Sequence, residues 1–221
     1  MSDGFSLSPG KLIVGNEVSA KTVSRHVADA VASPGLEWRD VTFAVRTGRG
    51  KKASEKVILD GVTGFAHKGE VTGIIGPSGS GKTTLMNILT GRVAPKCRVS
   101  GHIRFEDKLR SSDVWKWTVG YVEQFDLMYD SLTCWETLAF SAMTRLPRSY
   151  TTAQKLERAE AVLQTLNLDR VRDSRVGSEA KRGVSGGERK RVAVGCELVT
   201  SPKLLCLDEC MSFVPVVPPC R

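Results

Sequence analysis

The run Gly76-Pro77-Ser78-Gly79-Ser80-Gly81-Lys82-Thr83 sets three glycines among two serines, a lysine and a threonine. These are the residue types of an anion cradle. Glycines let successive backbone N–H groups turn inward around a phosphate with no Cβ in the way. An apolar stretch, Val71–Ile75, runs into the loop, and Leu85, Ile88 and Leu89 follow at helical spacing. The loop would therefore present its N–H groups at a helix N-terminus, whose partial positive charge favours an anion. Lys82 is placed to reach the β- and γ-phosphates of a nucleotide and the Thr83 hydroxyl to ligate Mg2+, with Thr84 continuing the binding set. The run fits GxxxxGK[ST] at every fixed position, and the strand before it and helix after it supply the context that pattern requires.

Two further strings add to this chemistry. In Leu204-Leu205-Cys206-Leu207-Asp208-Glu209, four apolar residues read as a buried strand, with two carboxylates at its C-terminal end. Ligands of α/β sheets bind at such ends. Asp208 would hold Mg2+ through water, and Glu209 would orient and deprotonate an attacking water. The third string, Val184-Ser185-Gly186-Gly187-Glu188-Arg189-Lys190-Arg191, puts a hydroxyl and glycine N–H groups at the start of a helix, again an arrangement suited to phosphate.

The elements that must position these groups follow from the patterning. Strands are expected around Val41 and Phe43, at Val57–Leu59, Val71–Ile75, His102–Phe105, Val119–Val122 and Lys203–Leu207. Leu156, Ala159, Leu163 and Leu166 share one face of a helix opened by Thr151 or Thr152. A further helix runs from about Gly187 to Val199 and stops before Pro202. The expectation is an α/β fold with a mostly parallel sheet, an antiparallel β subdomain and a helical insertion at about 130–190. Residues 1–35, ending in Ser33-Pro34-Gly35, read as a mobile tail or a short helix on Val23, Val27 and Val31. The domain proper is expected over 36–209, and 210–221 reads as an aberrant tail, because its prolines suit neither helix nor central strand.

Composition narrows the function. With 41% hydrophobic and 25% charged residues the chain can bury a globular core. No apolar window is long enough for a membrane span, and no secretory signal is readable, so the chain reads as cytosolic. The six cysteines form no CxxC pair, which argues for reduced thiols and against a metal cluster. The net charge of +8 could attract nucleic acid, anionic lipid or nucleotide phosphates. Aromatic residues are not interleaved with the basic ones as in single-strand binders.

Taken together, these strings resemble the nucleotide-binding domain of ABC transporters. Val184 to Arg191 resembles the family's signature loop, and Tyr121-Val122-Glu123-Gln124-Phe125-Asp126 its Q-loop. Trp38–Phe43, Leu132–Ala142 with Arg145-Leu146-Pro147, and Lys181-Arg182-Gly183 are similar to the G (white/brown) subfamily of half-transporters. The resemblance covers roughly Leu36 to Glu209 and implies a P-loop NTPase with a RecA-like core that binds ATP and Mg2+. It implies that Ser185, Gly186, Gly187 and Glu188 face ATP held by the P-loop of a second nucleotide-binding domain. It implies that Gln124 senses Mg2+ and the γ-phosphate and joins Glu209 in catalysis. The expected work is ATP hydrolysis driving export of a lipid, sterol or xenobiotic through a membrane domain, at the cytoplasmic face of a membrane. A non-hydrolysing ATP-binding fragment is one alternative. A soluble ABC ATPase acting on nucleic acid is another, though no nucleic acid partner is expected. The family's Pro-Thr-Ser-Gly-Leu-Asp is replaced here by Cys210-Met211-Ser212-Phe213-Val214-Pro215. The D-loop Asp and the switch His are therefore expected to be missing, as from a truncated product. Val45 stands where many members place an adenine-stacking aromatic.

Overall fold

The computed structural model describes residues 13–15, 35–47, 54–94, 97–106, 108–110, 115, 117–124, 128–178 and 181–208. Val23, Val27, Val31, Phe125, Asp126, Glu209 and the 210–221 segment lie outside the described residues. The chain falls into two compact units, 1–115 and 116–221.

The first unit is built on four antiparallel strands in the order β3-β2-β5-β6, with β2 at Leu36–Thr47, β3 at Ser54–Ala66, β5 at Arg98–Phe105 and β6 at Lys108–Leu109. Along β2, Leu36, Trp38, Val41, Phe43 and Ala44 are buried. The strict alternation slips at Asp40, which takes a left-handed φ of 51° and donates its N–H to the Thr63 hydroxyl at 3.0 Å. The pairing of β2 with β3 shifts register across that point, so a bulge keeps both Trp38 and Val41 on the buried face. The strand before the glycine-rich loop, β4 (Gly73–Ile75), pairs antiparallel with β1 (Ile13–Gly15). Three residues of the expected tail are thus a strand. The loop opens helix α1, Lys82–Thr90, whose Leu85, Ile88 and Leu89 are buried. The far end of α1 is closed by side chains from later in the unit. Arg110 donates to the Ile88 carbonyl, and the Trp115 indole N–H donates to the Leu89 carbonyl at 3.0 Å. A cation there complements the negative end of the helix. Burial holds the Arg110 guanidinium below its ordinary pKa.

The second unit pairs β7 (Val119–Val122) with β8 (Leu204–Leu207) in parallel, Val119 opposite Leu204 through Val122 opposite Leu207. Among the described residues this is the parallel part of the fold. Between the two strands come α2 (Cys134–Arg145), α3 (Thr152–Thr165) and α4 (Gly186–Leu198), as a parallel crossover needs. Their shared core is Cys134, Leu138, Ala142, Ala159, Val162, Leu163, Leu168, Val176, Val192 and Val199. The face of α3 is rotated slightly from the expected one, with Lys155, Ala159, Val162 and Leu163 buried. Leu156 and Leu166 are half-buried. The reason is polar. Lys155 lays its stem in the core and donates to the Met143 and Leu146 carbonyls at 3.2 and 3.0 Å, closing the end of α2. Arg158 closes α4 the same way through the Leu198 and Val199 carbonyls.

Candidate functional site

The phosphate-loop residues lie in the first unit. Ser80 donates its N–H to the Pro77 carbonyl at 3.2 Å, which tightens the loop into a turn. Gly79 and Gly81 carry φ of 78° and 93°, values that L side chains rarely adopt. Gly81 is also the N-cap of α1. No side chain caps this helix, and its first turn holds no acidic residue. The Lys82 ammonium folds back on the loop, donating to the Gly76 and Pro77 carbonyls at 2.9 Å each. Ser80 is 9% exposed and its Oγ has no hydrogen-bond partner. A buried hydroxyl left in that condition costs roughly 1–3 kcal/mol, which an anion in the loop would recover. Pro77, Ser78, Gly79 and Thr83 are exposed, and Gly76, Gly81 and Thr84 are half-buried.

The signature residues, Gln124 and Asp208 lie in the second unit. Gly183 approaches the backbone of Val176 and Gly177 so closely that a Cβ would collide with the Val176 carbonyl oxygen. This contact fixes where the chain enters α4, and Val184 adds a backbone bond to Arg175 at 3.0 Å. Ser185 caps α4 in a reciprocal box with Glu188. Its N–H donates to Glu188 Oε2 at 2.8 Å, and its Oγ accepts from the Glu188 N–H at 3.3 Å. The Ser185 hydroxyl also lies 2.7 Å from Glu188 Oε2. These bonds from Ser185, first the side-chain one and then the backbone one, hold the Glu188 carboxyl below its ordinary pKa. The same carboxylate adds to burial in pushing the Cys134 thiol up to about 11.

Asp208 is 5% exposed at the end of β8. Its N–H continues the parallel ladder to the Val122 carbonyl at 3.0 Å, and its Oδ2 accepts a 3.3 Å hydrogen bond from the Tyr121 hydroxyl. Gln124 follows β7 with an exposed side chain. Its backbone is tied to the signature helix: the Lys190 ammonium donates to the Glu123 carbonyl at 2.6 Å and to the Gln124 carbonyl at 3.4 Å. A second tie comes from Glu197 on α4, which accepts the Tyr121 N–H at 3.2 Å while pairing with Arg145 of α2 at 2.6 and 2.8 Å. The sequence patterns assign no site role to Tyr121, Lys190, Glu197 or Arg145. Their partners lie 52 to 87 residues away along the chain, and no local pattern announces such pairs.

A glycine-rich loop opening an uncapped helix, with a buried strand-end Asp and a Ser-Gly-Gly helix start, defines the nucleotide-binding class of P-loop fold. Comparison with known proteins specifies it further. A family model described as "ABC transporter" matches residues 59–212, and the chain belongs to that family. It is 40% identical over 209 residues to ABC transporter G family member 22 of Arabidopsis thaliana, which covers 95% of this chain and 28% of the relative. It is 39% identical over 177 residues to the broad substrate specificity ATP-binding cassette transporter ABCG2 of Rattus norvegicus, covering 79% of this chain and 26% of the relative. The chain thus spans about a quarter of the length of these relatives. In three dimensions it is similar to cbiO1 from Clostridium perfringens, part of the ABC transporter complex cbiONQ, with a TM-score of 0.63 at 24% identity. That likeness covers 80% of this chain and 65% of that one and shows the fold of an ABC ATPase. Among the described residues, no helix is long and apolar enough to cross a membrane.

Proposed function

We propose that this chain is the ATP-binding and hydrolysing part of a G-subfamily exporter, and that it holds MgATP on Gly76–Thr84. The observation that carries this reading is the loop itself: Gly79 and Gly81 at positive φ, the partnerless Ser80 hydroxyl, and an α1 start with neither cap nor carboxylate. Each of these favours an anion at that place. The Lys82 ammonium exchanges its carbonyl partners for phosphate oxygens, so that donor and acceptor are both charged.

The oxygen donors Thr83, Gln124 and Asp208 fit a hard divalent cation. Mg2+ on these groups would neutralise charge on the phosphates as the terminal one is transferred. The Tyr121 hydroxyl donates to one Asp208 oxygen and so fixes the orientation of the carboxylate. Glu209 follows Asp208 as the base for the attacking water. Ser185, Gly186, Gly187 and Glu188 serve a second nucleotide-binding domain: a helix start that holds no nucleotide of its own meets the γ-phosphate on the partner's loop. The cargo proposed is a lipid, sterol or xenobiotic, carried by membrane helices of the kind that are not found among the described residues.

The test is MgATP binding by the chain with and without Lys82. Lys82→Ala removes the cation aimed at the terminal phosphates. Charge-assisted hydrogen bonds contribute about 1.5–3 kcal/mol, so affinity should fall roughly ten- to a hundred-fold. Equal affinity of the two proteins by calorimetry contradicts the assignment.

A further inference from the structure

We infer that Lys190 is a positioning residue that couples the signature helix to the Q-loop, so that the register of Gln124 is set by α4. The inference rests on the reading of Gln124 as a γ-phosphate and metal sensor given above.

Three observations carry it. Lys190 is 4% exposed, and lysine is almost never buried unless its ammonium is engaged. That ammonium donates to two consecutive carbonyls, Glu123 at 2.6 Å and Gln124 at 3.4 Å, immediately beyond the last residue of β7. It grips the backbone at the point where a rigid strand gives way to the loop carrying the Gln124 side chain. Finally, Lys190 stands three and four residues after Gly187 and Gly186 on the same helix. Residues at that spacing share a helix face, so the glycine N–H groups and the Lys190 stem belong to one rigid turn. A shift of α4 must therefore drag the carbonyls of Glu123 and Gln124 or break two charge-assisted bonds. The Glu197 carboxylate, which accepts the Tyr121 N–H, anchors the same strand to the later part of α4. With that anchor in place, the Lys190 contact bears on the loop more than on the strand.

The consequence is selective. ADP is held by the P-loop and lacks the γ-phosphate that Gln124 would sense, so loss of the Lys190 ammonium should leave ADP affinity alone and weaken MgATP. Lys190→Met keeps the stem and removes the charge. The expected result in the 221-residue chain is a fall of about three- to ten-fold in the ratio of MgATP to MgADP affinity, a part of one charge-assisted bond. Lys190→Arg should restore most of it, and Lys190→Met should add nothing in a Gln124→Ala background. A proportional loss of both affinities makes Lys190 a mere scaffold residue and overturns the inference, as does an unchanged ratio. A wild-type chain that binds neither nucleotide removes instead the reading on which the inference stands. Hydrogen exchange on the wild-type monomer gives a second reading that needs no variant to fold. MgATP, and not MgADP, should slow exchange at 188–191 together with 121–124. Protection of the Q-loop without any change in α4 refutes the coupling.

Discussion

Helices α1 and α4 both begin on glycine-containing loops suited to phosphate, yet their first turns are completed in opposite ways. At α1 the N-cap is Gly81, no side chain accepts from the helix N–H groups, and no acidic residue stands in the first turn. At α4 the N-cap is Ser185, and the Glu188 carboxylate accepts the Ser185 N–H in a closed capping box. Orphan N–H groups at a helix start must find partners. At the first helix no side chain meets that requirement. The second meets part of it from within its own sequence, because the Ser185 and Glu188 N–H groups are taken up by the box and the Glu188 carboxylate stands beside the Ser185 hydroxyl. The two starts therefore differ in what they leave open: α1 has no cap of its own, and α4 is latched by Ser185 and Glu188. Helices α2 and α3 carry the same closed box, with Thr133 and Glu136 and with Thr151 and Gln154, so α1 is the exception among these four α-helices.

Substitutions at either helix start probe this difference. The largest effect is expected at Gly81. Alanine there must adopt a φ of 93° and place its Cβ 2.6 Å from Leu59 Cδ2. A non-glycine residue in that region costs on the order of 1–3 kcal/mol, and Gly81→Ala should sit at the upper end of the range and lose nucleotide binding as well. Gly79→Ala shares the positive φ but meets nothing within 4 Å, so its cost should be near the lower end. Chemical denaturation of the two variants ranks them, and the reverse order would show that Leu59 yields easily.

Ser185→Ala opens the latch. Loss of a serine N-cap costs about 1 kcal/mol, and the α4 N-terminus should exchange its amides faster while α1 is untouched. An unchanged denaturation midpoint would mean that Glu188 alone suffices as a cap.

The smallest effect is a pH dependence. The folded-state pKa of Glu188 is depressed, first by the Ser185 hydroxyl and then by the Ser185 N–H. A depressed carboxyl stabilises the fold in full above its unfolded pKa, and that contribution disappears as pH falls through the folded value. Stability of the wild type should therefore be flat in this respect near neutrality and decline below the ordinary glutamate range. Glu188→Gln should decline less over the same acid window. Identical acid slopes would remove the carboxylate from the latch.

Much of this architecture is legible in the residue pattern alone. The glycine loop, the Asp208 strand and the Ser185 helix start are local text, and each stands on the element expected of it. Helix limits are close as well: α4 begins at Gly186 and ends at Leu198, within a residue of the expected span. What the sequence conceals is pairing at a distance. Tyr121 reads as one more strand residue until β7 and β8 pair in parallel and bring its hydroxyl to Asp208. Nothing in the local pattern marks Lys190 or Lys155 as a core position; both are buried because carbonyls at loop and helix ends draw their ammonium groups inward. Position in the helical period is decided there by hydrogen-bond demand rather than by hydropathy. Ser-x-x-Glu at 185–188 is visible as a motif, but its two possible partners, an anion or its own glutamate, are distinguished only by geometry.

Calorimetry decides whether α1 binds the nucleotide and α4 does not: MgATP is titrated into the wild-type chain, Lys82→Ala and Ser185→Ala at concentrations where each is monomeric. The expected result is a roughly ten- to hundred-fold loss of affinity for Lys82→Ala and an affinity for Ser185→Ala indistinguishable from wild type. A large loss in Ser185→Ala, or none in Lys82→Ala, would contradict the division of labour between the two helix starts.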